Sequence, residues 1–78
     1  MWFVYILKCK DGTYYTGCTS NMTDRLNRHN NGHVKYTSSR LPVELIVTIN
    51  FYDKYKAYEF ENYLKSGSGR AFMNKRFI

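Results

Sequence analysis

The chain has 78 residues, of which 44% are hydrophobic and 18% are aromatic. This length allows one small domain, and the apolar content is too high for an intrinsically disordered chain. No apolar run approaches the roughly 20 residues that cross a bilayer, so we expect a cytoplasmic protein with no membrane partner. Twelve Lys and Arg against six Asp and Glu give a formal charge of +6, which favours a polyanionic partner such as nucleic acid.

The cysteines and histidines do not have the spacing of a zinc site. A zinc finger needs cysteine pairs separated by about two to four residues, whereas Cys9 and Cys18 lie far apart in the sequence. We therefore expect two reduced thiols on strands, as is usual inside cells.

The first part of the chain predicts a β-hairpin. Residues 2–9 form a continuous apolar and aromatic run, and residues 13–18 are rich in β-forming side chains. The loop between them fits a type I turn that ends in a left-handed residue, where Gly12 stands. This register places Cys9 opposite Thr13.

A helix and a strand are predicted next. Ser20 or Asn21 can cap a helix over residues 22–31, and residues 37–42 are predicted to be a loop. Residues 43–51 alternate as a strand. One face of that strand is expected to carry Val43, Leu45, Val47, Ile49 and Phe51.

The last part of the chain predicts more helix. Asp53 can cap a second helix that ends near Ser66 and Gly67, and residues 70–76 are a candidate for a short third one. The predicted order is β-β-α-β-α-α. We therefore expect one α+β domain over residues 1–78, with a small three-stranded antiparallel β-sheet flanked by two or three helices.

The hairpin register places two tyrosines on the same face. It pairs Tyr5 with Gly17 and Leu7 with Tyr15, so both phenols point to one side of the sheet. Gly17 leaves space beside the Tyr5 ring. Two half-buried strand tyrosines without chemical function would give the same pattern.

Both predicted helices carry charged or polar side chains within their apolar stripes. Arg25 and His29 stand one turn apart beside apolar residues of the first helix, and Glu61 interrupts the apolar stripe of the second. A buried carboxylate must be paired, hydrated or bound to a cation. An ion pair of Glu61 with Arg25 or Lys65 is the structural alternative to a metal site.

Basic residues cluster in two stretches that contain no acid, residues 25–40 and residues 62–78. Such side chains can neutralise phosphates. The candidates for nucleic-acid binding are Arg28, Lys35, Arg40, Lys65, Arg70 and Lys75.

These features together resemble the GIY-YIG nuclease family. The resemblance is carried by Phe3-Val4-Tyr5, by Tyr15-Thr16-Gly17, by Arg25 with His29 four residues later, and by Glu61 in Glu-Asn-Tyr-Leu-Lys. The resemblance covers the whole chain. The chain is similar to the catalytic N-terminal module of the bacterial excision-repair incision subunit. Val4 and Thr16 replace the two isoleucines of the signature, and Phe3 stands in place of its first glycine.

The resemblance implies roles for the individual residues. Tyr5 and Tyr15 would be the signature tyrosines, Arg25 would bind phosphate, His29 would assist from the same helix, and Glu61 would be the sole metal ligand. Asn74 is a candidate for a supporting asparagine that some members place downstream of the glutamate. The sequence leaves open which tyrosine is the general base and whether His29 acts chemically or only orients Tyr5.

The resemblance implies a metal-dependent endonuclease that hydrolyses phosphodiester bonds with one Mg²⁺ or Mn²⁺. We expect DNA rather than RNA as the substrate, recognised by its structure or with weak sequence preference, in DNA repair or recombination. A protein partner could supply specificity. The alternative is a non-catalytic nucleic-acid binding module on the same scaffold.

Overall fold

The computed structural model describes residues 1–78 and contains three strands and four helices. In chain order they are β1 Trp2–Cys9, β2 Tyr14–Thr19, α1 Met22–Asn30, α2 Lys35–Ser38, β3 Val43–Phe51, α3 Lys54–Leu64 and α4 Gly67–Arg76. The strands form one antiparallel sheet in the order β2-β1-β3. The predicted α+β fold with a three-stranded antiparallel sheet is confirmed. None of the helices is long and apolar enough to cross a membrane.

The turn between β1 and β2 has the predicted geometry. Gly12 has a φ of 85°, the left-handed value that glycine adopts without strain. The Cys9 amide donates to the Thr13 carbonyl over 2.8 Å, and the Gly12 amide donates to the Cys9 carbonyl over 3.0 Å. The turn therefore fixes the register of the hairpin, in which Tyr5 lies opposite Gly17.

The helices begin at polar caps. The Asn21 side chain accepts a hydrogen bond from the Asp24 amide at the start of α1, and Asp53 accepts from Tyr55 at the start of α3. Ser66 caps α4 by accepting from Gly69. The last helix therefore begins at Gly67, three residues before the predicted start, because this cap outweighs the low helix propensity of the two glycines in the first turn.

The predicted loop over residues 37–42 is wrong at its start, because α2 occupies Lys35–Ser38. Its short sequence has no periodic signal, and tertiary contacts hold it instead. Thr37 is fully buried, and the Arg40 guanidinium donates to the Tyr36 carbonyl over 2.7 Å. Contacts of this kind cannot be read from local propensity.

The prediction that five apolar residues of β3 share one face is also wrong. The pairing of β1 with β3 shifts between Ile6 and Leu7, which face Val47 and Leu45 respectively, so Ile46 is an extra residue in a β-bulge. Because the bulge reverses the alternation, Val47, Ile49 and Phe51 lie on the Val4 and Ile6 side. Val43 and Leu45 lie on the opposite side, with Leu7 and Cys9.

The apolar core lies on one face of the sheet, beneath α3 and α4. It comprises Val4, Ile6, Cys18, Ala57, Leu64 and Met73. Both cysteines are buried as free thiols on the predicted strands. The opposite face of β1 carries Tyr5 and Leu7, which are also fully buried.

Candidate functional site

Tyr5 is held at the centre of the sheet by the strand pairing on both of its sides. It lies on the middle strand, opposite Gly17 of β2 and Thr48 of β3. Its side chain has no solvent exposure. A Cβ atom at position 17 would lie only 2.8 Å from Cε1 of the Tyr5 ring, and closer still to the phenol end. Gly17 is therefore the residue that lets the phenol group lie over β2.

A chain of buried hydrogen bonds starts at the phenol of Tyr5. The Tyr5 hydroxyl lies 2.9 Å from Nε2 of His29, and Nδ1 of His29 lies 2.7 Å from the Thr37 hydroxyl. The Thr37 hydroxyl donates its proton to the Val34 carbonyl over 3.4 Å. Thr37 must then accept from Nδ1–H of His29, which leaves Nε2 as the acceptor for the Tyr5 proton.

The electrostatics around His29 keep the ring neutral. Burial lowers the pKa of His29, and the positive charges of Arg25 and Arg28 lower that pKa further. The imidazole is therefore free to accept a proton at Nε2. His29 thus joins the Tyr5 phenol and α2 in a single network, although its sequence position indicates only the face of α1 on which it lies.

Arg25 contacts the same phenol from the neighbouring turn of α1. Its Nη1 donates to the Tyr5 hydroxyl over 3.4 Å. Burial nevertheless raises the pKa of Tyr5 to about 12, against the lowering effect of the Arg25 hydrogen bond. The phenol is therefore protonated at neutral pH, and it donates to His29 while it accepts from Arg25.

Tyr15 lies beside this network but is not part of it. Its ring centroid is 5.0 Å from that of His29, 6.2 Å from that of Tyr5 and 5.6 Å from that of Tyr36. The Tyr15 hydroxyl makes no hydrogen bond within the protein, and it is not shut off from solvent. The two tyrosines therefore differ: Tyr5 is buried and hydrogen-bonded, and the Tyr15 hydroxyl is accessible to solvent.

Glu61 approaches this region from α3. Its side chain is 14% exposed, and Oε2 is 2.8 Å from the Lys65 ammonium. The ion pair expected as the alternative to a metal site is therefore present, with Lys65 and not with Arg25. The charge of Glu61 also contributes to the raised pKa values of Tyr5 and Cys18, in both cases after the larger effect of burial.

The donor set of Glu61 fits a hard divalent cation. Oε1 has no partner within the protein and is not buried, so one carboxylate oxygen faces solvent. No group of three or more His, Cys, Asp or Glu side chains converges anywhere in the structure. A cation held here would take one protein carboxylate and fill its remaining positions with water or substrate oxygens, as Mg²⁺ commonly does.

The other site candidates have different surroundings. Lys65 and Arg70 line a cleft of about 290 Å³ that also contains Tyr15. Arg40 is engaged by Asp11 at 3.1 Å and stacks over the Tyr36 ring at 4.1 Å. The remaining candidates are exposed and form no ion pair: Arg28, Lys35, Asn74 and Lys75.

Thr37 is the residue of the network that sequence reasoning missed. It lies in the segment predicted to be a loop, and its hydroxyl fixes the orientation of the His29 ring. A threonine eight residues after a histidine carries no recognisable signal, because the connection depends on how α2 folds back on α1.

Comparison with known proteins shows the same architecture elsewhere. The GIY-YIG catalytic domain model matches residues 1–76. A UPF0213 protein of Streptococcus agalactiae is 43% identical over 70 residues, which are 88% of this chain and 80% of that protein. A UPF0213 protein of Clostridium perfringens is 48% identical over 64 residues, covering 81% of this chain and 69% of its own length.

A solved structure is also similar. The solution NMR structure of the UPF0213 protein BH0048 from Bacillus halodurans aligns with a TM-score of 0.60 at 37% sequence identity. The alignment covers 96% of this chain and 84% of that one. The likeness therefore extends over nearly all of the sheet and helices described above.

Proposed function

The chain belongs to the GIY-YIG family, a family of nuclease domains, and from that premise we propose that it is a single-metal endonuclease that hydrolyses phosphodiester bonds in DNA. The observation that carries the proposal is the hydrogen-bond chain from Tyr5 to His29 to Thr37. It pairs a buried phenol with a titratable base, whereas any carbonyl oxygen would satisfy the hydroxyl of a purely structural tyrosine.

The proton transfer follows from the protonation states of the two groups. With a pKa of about 12, Tyr5 cannot act as a preformed phenolate at neutral pH. It can take a proton from the attacking water only as its own proton moves to Nε2 of His29, which is neutral and 2.9 Å away. The resulting hydroxide attacks phosphorus, the P–O bond to the leaving oxygen breaks, and the leaving alkoxide takes a proton from a water molecule. Because His29 is fully buried, its proton returns through Tyr5 to the hydroxide left by that water.

Arg25 connects this buried pair to the substrate. Because Tyr5 has no solvent exposure, water reaches its oxygen only when neighbouring side chains shift. The Arg25 guanidinium touches the phenol at 3.4 Å, and a phosphate would attract it towards the bound strand. Arg25 would then neutralise charge on the phosphate and uncover the phenol in the same movement.

Glu61 would hold the divalent cation, Mg²⁺ or Mn²⁺, through its carboxylate. When bound, such an ion acts as a Lewis acid and neutralises charge that develops on the phosphoryl group. The Tyr15 hydroxyl, which has no partner within the protein, would orient the water or a phosphate oxygen.

The exposed basic residues favour contacts with the phosphate backbone, which position DNA without reading its sequence. We therefore propose that cleavage depends on the structure of the DNA more than on its sequence. Selection of the cutting site would come from distorted or branched DNA, or from a partner protein. Such an activity fits a role in DNA repair or recombination.

The test compares Glu61→Gln with Glu59→Gln. Both changes remove one negative charge from α3, but Glu59 is exposed and forms no ion pair. We expect Glu61→Gln to abolish Mg²⁺-dependent nicking of plasmid DNA while gel retention of DNA is kept, and Glu59→Gln to cut normally. Undiminished cutting by Glu61→Gln would contradict the metal assignment. Wild-type protein that binds DNA but never cuts it with Mg²⁺ or Mn²⁺ would favour the non-catalytic binding module.

A further inference from the structure

A cleft next to the candidate site combines aromatic and cationic side chains. It lies between β2, α2 and the corner where α3 meets α4, and has a volume of about 290 Å³. We call it the aromatic cleft. Its functional side chains are Tyr15, Tyr36, Lys65 and Arg70, with Leu64 and Met73 as the apolar part of the wall. Tyr15 and Lys65 belong to both the cleft and the site, so the two are continuous.

Two residues, Ser66 and Gly69, hold the corner between α3 and α4, and this corner forms the cationic wall of the cleft. Gly69 packs directly on the Tyr63 carbonyl and on Cα of Leu64, where no Cβ atom could fit. The Ser66 hydroxyl accepts from the Gly69 amide over 3.2 Å and caps α4 there. Arg70, the next residue, is thereby held at the rim of the cleft.

The aromatic wall is held in a similar way. The Tyr36 ring is 40% exposed and borders the cleft, while the Arg40 guanidinium stacks over it at 4.1 Å. The ion pair of Arg40 with Asp11 fixes that guanidinium in turn. Tyr36 therefore presents a supported aromatic surface, 5.6 Å from the Tyr15 ring.

The charges of the cleft are available to an anion. Arg70 is exposed and makes no ion pair or side-chain hydrogen bond within the protein. Lys65 is paired only with Glu61, whose carboxylate would be shared with a cation in the active enzyme. Proteins that bind single-stranded nucleic acid use aromatic rings to stack on the bases and cationic side chains to contact the phosphates. The cleft has both.

We propose that the aromatic cleft binds one unpaired nucleotide of a DNA strand, beside the phosphodiester bond that is cut. The position beside the cut bond rests on the proposed function; the binding itself does not. The cleft volume of about 290 Å³ is just below the roughly 300–1,000 Å³ typical of ligand pockets, which suits one nucleotide and not a duplex. Bases within a duplex have their faces covered by neighbours, so only an unpaired base can stack on Tyr36.

The test measures binding without cleavage, with the Glu61→Gln variant in the presence of a chelator. Fluorescence anisotropy compares a short oligothymidylate, a duplex with one unpaired thymine and the fully paired duplex. We expect both unpaired probes to bind at least about fivefold more tightly than the paired duplex, because each base stacked on an aromatic ring contributes at this level. Equal affinity for all three probes would overturn the proposal.

Substitutions at two positions of the cleft, each with a matched control, locate the effect. Tyr36→Leu should remove the preference for unpaired probes, whereas Tyr36→Phe keeps the ring and should retain it. Arg70→Gln should lower the salt dependence of oligothymidylate binding by about 0.7 in the log–log slope, the value for one phosphate contact on a single strand. Arg76→Gln is the matched control, because it removes the same charge from the exposed end of α4, outside the cleft. Circular dichroism verifies that each variant is folded.

The results separate this proposal from the proposed function. If wild-type protein cuts DNA but Tyr36→Leu keeps the wild-type preference for unpaired probes, the cleft assignment fails and the nuclease assignment stands. If no metal supports cutting but the preference for unpaired probes depends on the Tyr36 ring, the nuclease assignment fails and the cleft stands as a binding site.

Discussion

The two faces of β1 are equally buried but are built from different chemistry. On one face, Val4 and Ile6 pack against apolar side chains from α3 and α4. On the other, Tyr5 donates to His29, which in turn is held by Thr37. The first set of contacts is non-directional, because apolar burial depends mainly on area. The second depends on distances, tautomer and protonation state.

This difference indicates how substitutions on each face should act. A smaller side chain on the apolar face removes packing and lowers the free energy of unfolding, but leaves the phenol and its partners in place. A change on the polar face breaks a defined proton path, and its first effect is on activity. Substitutions on each face should therefore separate loss of stability from loss of activity.

Tyr5→Phe should have the largest effect on activity. The ring still fills the space over Gly17, but the group that relays the proton is lost. We expect cleavage to fall by about 10²–10⁴-fold, the usual range for a general acid–base group. Leaving Nε2 of His29 unpaired should also cost about 1–3 kcal/mol of stability. Plasmid nicking rates and urea unfolding measure the two effects.

The control for Tyr5→Phe is the adjacent residue on the apolar face. Ile6→Ala should lower the free energy of unfolding by about 2–5 kcal/mol. Its nicking rate per folded molecule should remain near that of the wild type. If Ile6→Ala slowed the chemistry as much as Tyr5→Phe, the two faces would not be functionally distinct.

Much of the polar face could be predicted from the sequence, because residues close together in the chain determine how that face is arranged. The turn at Gly12 fixes the pairing of Tyr5 with Gly17, and residues four apart on a helix share a face, as Arg25 and His29 do. The helix caps at Asn21 and Asp53 are local signals as well. Predictions that rested on such short-range rules agree with the structure.

The features that the sequence did not predict depend on contacts between distant segments. The bulge at Ile46 arises from the way β3 pairs with β1, and simple alternation within β3 gives no sign of it. The bond of Thr37 to His29 requires α2 to fold back on α1, and the Arg40–Asp11 pair joins residues 29 positions apart. The effect of the Glu61 charge on the pKa of Tyr5 likewise depends on the packing of α3 against the sheet.

Gly17→Ala should have the next largest effect, because it lowers both stability and activity by displacing the Tyr5 ring of the polar face. The new methyl group would overlap the phenol end of a ring that is fully buried and hydrogen-bonded. We expect a loss of about 1–3 kcal/mol from overpacking, together with weaker cleavage as the phenol moves from His29. Gly67→Ala is the control, because nothing lies within 4 Å of a Cβ atom at that position. Equal behaviour of the two variants would contradict the assigned role of Gly17.

Thr37→Val should have a smaller effect, because Tyr5 itself stays in place. The substitution keeps the shape of the side chain but leaves Nδ1–H of His29 without an acceptor, at a cost of about 1–3 kcal/mol. Cleavage should fall because the orientation and tautomer of the ring are no longer fixed. Thr37→Ser should restore both activity and stability, as measured by nicking rate and urea unfolding. Failure of the serine variant to rescue would mean that packing, not the hydroxyl, is what matters.

The pH dependence of stability should show the smallest effect and should belong to the polar face alone. Burial lowers the pKa of His29 in the folded protein, whereas the unfolded chain takes up a proton near the ordinary value of about 6.5. Below that pH the unfolded state binds more protons, so the free energy of unfolding falls, by at most about 1.4 kcal/mol per pH unit. Above it, the imidazole is neutral in both the folded and the unfolded state, and this contribution is constant.

Urea unfolding from about pH 8 to about pH 5 should show this loss of stability in wild type and in His33→Gln, but a flatter profile in His29→Gln. An unchanged slope in His29→Gln would show that the buried imidazole does not remain neutral on folding, and the proton path from Tyr5 would then lack its acceptor.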